Sequence, residues 1–117
     1  MSVMHSELRQ AYLQELALGR SSFGRRDYDA AMHHLERAHI LGQRYTLSHV
    51  HTHWWMLRVG LARTDAQEIV GQVLRLVAAL AFSRIWVPIG NTGGANVSAL
   101  KPMPVPEDLK PLLEEAR

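Results

Sequence analysis

Cysteine is absent from the 117 residues of this chain, and the first of its five prolines is Pro88. Without cysteine there are no disulfides and no thiolate ligands, so a metal would have to be held by nitrogen and oxygen atoms. Histidine is unevenly distributed, because all seven histidines lie at or before His53. These absences direct attention to the first half of the chain.

Clustered charge and long apolar runs are also absent. The 13 basic residues are dispersed and the net charge is only +2, whereas nucleic-acid binding needs a basic patch, so we expect no nucleic-acid partner. The most apolar run, residues 76–82, is much shorter than the roughly 20 residues of a membrane span. The first residues contain no apolar segment typical of a secretory signal. We therefore expect a soluble, cytoplasmic protein that does not bind membranes.

Residues 5–82 have the periodicity of helices, since apolar residues recur every three or four positions without a proline. Breaks near Gly24, Gly42 and Thr64 divide this core into four helices. Short connections make consecutive helices antiparallel, so the sequence predicts an all-α fold of four antiparallel helices in two stacked hairpins. The fourth helix is expected to run through the apolar residues Ile69, Val73, Leu76, Val77 and Leu80.

The composition changes after Ser83, where glycine and proline become frequent. Because proline fixes φ and disfavours helix in the preceding residue, we expect an irregular tail over residues 83–106, packed on the bundle. A short C-terminal helix is predicted over residues 107–116. The whole chain, residues 1–117, is expected to form a single domain.

Two spacings place potential metal ligands on shared helix faces. Glu36 and His39 are three residues apart on the predicted second helix, and His49 and His53 are four apart on the third. In a hairpin of these helices, one carboxylate and three imidazoles would converge on one point. This set suits a divalent transition metal, with Zn²⁺ the best match. Helix-bound histidines that are simply packed and hydrogen-bonded are an equally good interpretation of the pattern.

Other signatures of chemistry are weak. The loop Gly90–Asn96 is rich in glycine, but it lacks the Gly-Lys-Ser/Thr ending of a phosphate-binding loop. It is better explained by tight turns that let the tail cross the bundle. No nucleophile motif or paired-carboxylate arrangement is visible, so an enzyme acting near this loop is the least favoured class.

Part of the chain resembles a tetratricopeptide repeat. The residues that match its pattern in order and spacing are Leu18, Gly19, Phe23, Asp27, Tyr28, Ala31, Leu35 and Ala38. Such units usually need about three copies to be stable, so a single repeat indicates helical-hairpin geometry.

A second resemblance covers nearly the whole chain. The strings Glu36-Arg37-Ala38-His39-Ile40-Leu41-Gly42-Gln43, His53-Trp54-Trp55-Met56 and Ser83-Arg84-Ile85-Trp86-Val87-Pro88 are similar to a bacterial family catalogued as domain of unknown function 3703. The family implies no established activity. Four of its pattern positions coincide with Glu36, His39, His49 and His53.

From the sequence we therefore predict a small metal-binding protein with a site between the second and third helices, serving metal handling or sensing. The alternative is a tetratricopeptide-like module that binds a protein partner without a metal. A homo-oligomer is a further possibility, because adjacent residues on a helix diverge and Trp54 and Trp55 cannot both be buried on one face.

Overall fold

The computed structural model describes residues 4–82 and 86–115, and helix is the regular secondary structure of these residues. The helices are α1 (Ser6–Gly24), α2 (Tyr28–Gly42), α3 (Thr46–Arg63), α4 (Ala66–Phe82) and α5 (Lys110–Glu115). Helix α1 packs on α2, α3 packs on α4, and α2 and α3 join the two pairs. The predicted all-α fold of stacked hairpins is confirmed.

The predicted helix boundaries agree with local capping chemistry. Asp27 precedes α2, and its side chain accepts a hydrogen bond from the Ala30 amide at 3.2 Å. Asp65 does the same for α4 through the Glu68 amide at 3.1 Å. Each cap satisfies an amide that has no partner within its helix, so a new helix begins directly after each turn.

The core lies between α1, α2 and α3. Gly19 of α1 allows close approach, since a Cβ there would lie 3.0 Å from a Leu35 methyl group. Trp55 is buried, with its ring edge-on to Phe23 at 5.6 Å, whereas Trp54 is exposed. The core residues are Leu8, Tyr12, Leu16, Ala31, Leu35, Ala38, Ile40, Leu41, Trp55, Met56, Val59 and Leu109.

Helix α4 turns its apolar residues outward. Val73, Val77 and Leu80 are exposed, and Gln72 and Ala79 are the buried residues of this helix. Residues 66–82 are apolar around most of the helix, so periodicity alone did not fix the inward face. The polar contacts of Gln72 fix it instead, as described below.

The chain after α4 returns across the bundle. Residues 86–109 form turns and extended segments, with Met103 donating its amide to the Ile89 carbonyl at 3.0 Å. The terminal helix begins at Lys110, later than the predicted residue 107, because residues 107–109 form a turn. None of the helices in the described residues combines the length and apolarity needed to cross a membrane.

Candidate metal centre

Three histidines meet where α2 and α3 join. His39 lies in the last turn of α2, and His49 and His53 lie one turn apart on α3. The connection is tight, because the Tyr45 amide bonds the Gly42 carbonyl at 3.0 Å. A Cβ at Gly42 would lie 2.9 Å from the Tyr12 ring, so glycine lets this elbow pack against α1. The elbow places His39 level with the start of α3.

The Nε2 atoms of the three rings form a nearly equilateral triangle. The distances are 3.0 Å from His39 to His49, 3.1 Å from His39 to His53 and 3.0 Å from His49 to His53. Nitrogens that share one tetrahedral Zn²⁺ at about 2.0–2.1 Å are separated by about 3.3 Å, slightly more than these distances. The three histidines therefore lie close enough to hold one metal ion.

The hydrogen bonds at the other ring nitrogens decide the tautomers of two rings. His39 Nδ1 lies 2.7 Å from the Asn91 carbonyl oxygen, which only accepts, so this nitrogen carries the proton. His53 Nδ1 lies 2.5 Å from Gln72 Oε1, and the Gln72 amide nitrogen donates to the Gly93 carbonyl at 2.9 Å. His53 therefore also carries its proton on Nδ1.

It follows that at least two of the three Nε2 atoms present lone pairs to one another when the rings are neutral. A proton on His49 Nε2 would satisfy only one of them. Lone pairs about 3 Å apart in a buried site repel, and a cation at their centre removes the repulsion. The Nδ1 protons on His39 and His53 are the arrangement found for metal-ligating histidines whose other nitrogen is held by an oxygen.

The surroundings keep these rings neutral. Burial first, and then the other imidazoles, lower the pKa of His39 well below 6.5. Burial followed by His53 lowers the pKa of His49 to about 3, and burial lowers the pKa of His53 to about 4. At neutral pH the cluster is thus a set of neutral nitrogen donors.

Asn91 positions His39 from the glycine-rich loop. Its side chain is buried and holds the loop through hydrogen bonds to the Ser98 and Lys101 carbonyls, at 2.7 and 2.8 Å, and from the Gly93 amide at 2.8 Å. Gly93 has φ +83°, and a Cβ there would lie 2.5 Å from the His39 ring. The loop Gly90–Asn96 therefore supports a candidate ligand, a role that its composition did not indicate.

Gln72 positions His53 in the same way from α4. Besides the bond to Gly93, its amide donates to Glu68 Oε2 at 2.6 Å, and that oxygen also accepts the Ala95 amide at 3.0 Å. These contacts turn the polar edge of α4 inward. The sequence signal was one of the two glutamines of α4, and helical spacing gave no means of pairing it with His53.

Glu36 lies outside the cluster. The ligand atoms that lie within 4.8 Å of one another in the described residues belong to His39, His49 and His53. A residue three positions earlier on a helix is rotated by about 60° from His39, and the Glu36 carboxylate lies near Gly94, where an added Cβ would be 3.5 Å from its Oε2. Burial first, and then the carboxylate of Glu68, raise the pKa of Glu36. The four-residue ligand set remains a prediction, of which the structure brings three members together.

The other histidines are elsewhere. His5, His33 and His51 are exposed, and His51 Nε2 accepts a hydrogen bond from the Trp55 indole at 3.2 Å. His34 pairs with Glu15 at 2.8 Å. His33 and His34 on α2 and His51 on α3 therefore provide matched controls on the same helices as the cluster.

Comparison with known families assigns the chain to a family but indicates no activity. The sequence model of the family described as "Protein of unknown function (DUF3703)" matches residues 6–113, so the chain belongs to that family. The resemblance found in the sequence is thereby confirmed. No curated protein sequence and no solved structure matches the chain at a significant level.

Proposed function

We propose that this protein binds one divalent transition-metal ion through the Nε2 atoms of His39, His49 and His53. The observation that carries the proposal is the meeting of these nitrogens within 3.1 Å while Asn91 and Gln72 accept from the opposite nitrogens of two rings. A hydrogen-bonded packing cluster would pair donors with acceptors, whereas here His39 and His53 present two acceptor nitrogens to each other.

Zinc is the ion that three neutral imidazoles suit best, because it accepts nitrogen ligands at about 2.0–2.1 Å and does not require a particular coordination number. Three protein ligands leave at least one position for water or another molecule. A carrier or sensor of metal uses such a position to exchange its ion or report it, and we propose metal handling or sensing as the role of this protein. Its place of action is proposed to be the cytoplasm.

The test is elemental analysis of untagged protein purified without chelators or metal resins. We expect about one equivalent of a transition metal, or uptake of one equivalent of added Zn²⁺. His39→Ala and His53→Ala should each lose it, while His33→Ala on α2 and His51→Ala on α3 retain it. Equal loss in all four variants, or no uptake by the natural protein, would refute the proposal.

A second function, self-association, is supported by the outward face of α4. Its exposed apolar side chains are spaced by three or four residues, and Val77 and Leu80 are 64% and 67% exposed. Apart from Arg75, residues 69–82 carry no charge that would require a complementary partner. We propose a second copy of this chain as the occupant, since one apolar stripe can pair with itself about a two-fold axis. The exposed apolar residues of this face are Val70, Val73, Leu74, Val77 and Leu80.

Sedimentation analysis of the full chain tests this second proposal. We expect a dimer that becomes a monomer in Val73→Glu/Val77→Glu, with helical content unchanged. Leu47→Glu changes an apolar residue that is 79% exposed on α3 and should leave the dimer intact. A natural protein that is monomeric at all concentrations, or equal dissociation in both variants, would contradict it. The tetratricopeptide-like alternative would then require a different protein partner.

A further inference from the structure

A cavity of about 280 Å³ lies against the histidine cluster. His39, His49 and His53 all contribute to its wall, so a metal bound by them would face it. The cavity is bounded by α4 and by residues 86–100, and its other walls are mostly apolar. A dry apolar cavity of about 150 Å³ accommodates benzene, so this space is sufficient for a molecule with one ring or a branched chain. The apolar wall includes Ala78, Ala79, Phe82, Trp86, Val87 and Leu100.

The charge around this cavity is unbalanced. Arg75 is the charged side chain among the described residues that line it. Its guanidinium donates to the carbonyls of Gly71 and Val97, at 3.1 and 2.9 Å, and the carboxylate that acts on its charge, Glu68, does not line the cavity. With three neutral imidazoles, a divalent ion and this guanidinium would place about three positive charges beside an apolar space. A bound anion would lower that electrostatic energy, and more so in a site of low dielectric constant.

Three buried polar atoms on the cavity residues have no hydrogen-bond partner in the described part of the chain: His49 Nδ1, Arg75 Nε and Gln43 Oε1. Outside the imidazole cluster, these are a donor on Arg75 and an acceptor on Gln43. The Gln43 amide nitrogen donates to the Pro88 carbonyl at 3.3 Å, which fixes its oxygen as the free atom. Buried polar groups are normally paired, so two such atoms beside one cavity indicate that a bound molecule or water pairs with them.

We infer that this cavity binds a small organic monoanion, with a carboxylate that coordinates the metal beside Arg75 and an apolar body that fills the space between α4 and residues 86–100. The inference rests on the proposed metal site. The donor on Arg75 suits one carboxylate oxygen, and the metal takes the other. The acceptor on Gln43 suits a metal-bound water or a hydroxyl of the ligand. The apolar walls then favour a ring or branched chain over a bare carboxylate.

The experiment uses the full chain loaded with Co²⁺, whose visible spectrum reports its ligands, with cobalt content measured in the same sample. Benzoate, acetate and benzamide are titrated separately. Benzoate has both the charge and the apolar body, acetate lacks the body, and benzamide lacks the charge. We expect a saturable change with benzoate at a concentration about tenfold or more below that for acetate, because ring burial stabilises the complex. Benzamide should give no change.

Two variants separate the contribution of the Arg75 charge to benzoate binding from the contribution of the cavity volume. Arg75→Gln should weaken benzoate binding about tenfold while cobalt content stays at one equivalent. Ala78→Phe should fill the cavity and weaken benzoate more than acetate. Ala81→Phe changes an exposed alanine of the same helix that does not line the cavity and serves as the control.

The outcomes distinguish the two proposals. Protein that holds cobalt but binds benzoate no better than acetate, or binds benzamide equally well, overturns the monoanion site and leaves the metal site standing. Protein that holds no cobalt and no other divalent metal overturns both. Equal weakening by Ala78→Phe and Ala81→Phe would place the anion outside this cavity and also overturn the inference.

Discussion

Helix α2 carries histidines on two faces. The polar groups on one face all have complementary partners within the protein, whereas those on the other face do not. On the α1 side, His34 and the guanidinium of Arg37 both contact Glu15, at 2.8 and 2.9 Å. Arg37 also reaches Asp108 at 2.5 Å. Every close contact there joins a cationic or donor group to a carboxylate. That cluster is complete with the atoms of the chain itself.

On the α3 side, His39 meets His49 and His53 through nitrogens that mostly accept. The Nδ1 atom of His39 is held by the backbone carbonyl of Asn91, and that of His53 by the side-chain oxygen of Gln72; both of these residues are buried. Polar clusters on the same helix can therefore be told apart by whether donors match acceptors. The complete cluster stabilises the fold, and the incomplete one indicates a missing cation.

The largest difference between the two clusters should be in how each affects the free energy of unfolding at acidic pH. The folded pKa values of His49 and His53 are lowered to about 3 and about 4, while an unfolded chain has the ordinary value of 6.5. Below pH 6.5 the unfolded chain therefore binds protons that the folded chain does not. The stability that the neutral histidines contribute is therefore fully present above pH 6.5, and it is lost as the pH falls toward their pKa values in the folded protein.

In metal-free protein, denaturant unfolding at pH 7 and pH 5 should differ by about 2 kcal/mol for each of these two histidines. His53→Gln should remove the part of that difference that His53 contributes, because glutamine does not titrate. His34→Gln alters the complete cluster and should retain it. A metal-free protein equally stable at both pH values would show that the buried rings do not resist protonation.

A smaller effect is expected from the residue that orients His53. Gln72→Leu keeps similar volume but removes the oxygen that accepts from His53 Nδ1. The ring then loses its fixed tautomer and orientation, and the affinity for Zn²⁺ should fall about tenfold with the stoichiometry unchanged. Competition against a chromophoric chelator measures this affinity.

Gln67→Leu is the matched control, since Gln67 is exposed on the same helix and bonds only the Ala95 carbonyl, at 3.4 Å. It should bind Zn²⁺ as the natural protein does. If the two variants bound Zn²⁺ with the same affinity, Gln72 would not be a positioning residue.

Disrupting the cluster of Glu15, His34 and Arg37 should have a still smaller effect, and that effect should be on stability. Arg37→Gln removes the ion pair with Glu15 at the α1–α2 boundary. Partly exposed pairs of this kind contribute about 1 kcal/mol or less, and salt screens them. We expect a slightly lower unfolding midpoint that converges with the natural protein's at high salt, and unchanged affinity for Zn²⁺. A loss of metal affinity would mean that the two faces of α2 are coupled.

The sequence predicted the parts of this molecule that follow from local rules. Helix bounds follow from breaks and from caps such as Asp27 and Asp65, and the i, i+4 spacing was sufficient to pair His49 with His53. The elbow near Gly42 brought His39 to them, as hairpin geometry requires. These features depend on neighbours in the chain, which a sequence displays directly.

Contacts between distant residues could not be predicted in the same way. Asn91 reaches His39 from 52 positions away and Gln72 reaches His53 from 19. No periodicity links such positions. The same polar contacts decide that α4 buries Gln72 and exposes Val77, against its hydrophobic pattern. The orientation of α4 is thus set by its polar side chains, and its apolar stripe faces outward.

Glu36 is where spacing and structure differ most sharply, and the expected effect of changing it is the smallest. Helix geometry made it a candidate ligand, but its carboxylate lies beside Glu68 and Gly94 and not with the imidazoles. Glu36→Gln keeps the shape and removes a carboxylate that repels Glu68. We expect one equivalent of Zn²⁺ with unchanged affinity, measured with the chelator used for Gln72→Leu. A loss of stoichiometric binding would instead show that Glu36 rotates toward the ion as a fourth ligand, and that metal binding rearranges the loop at Gly94.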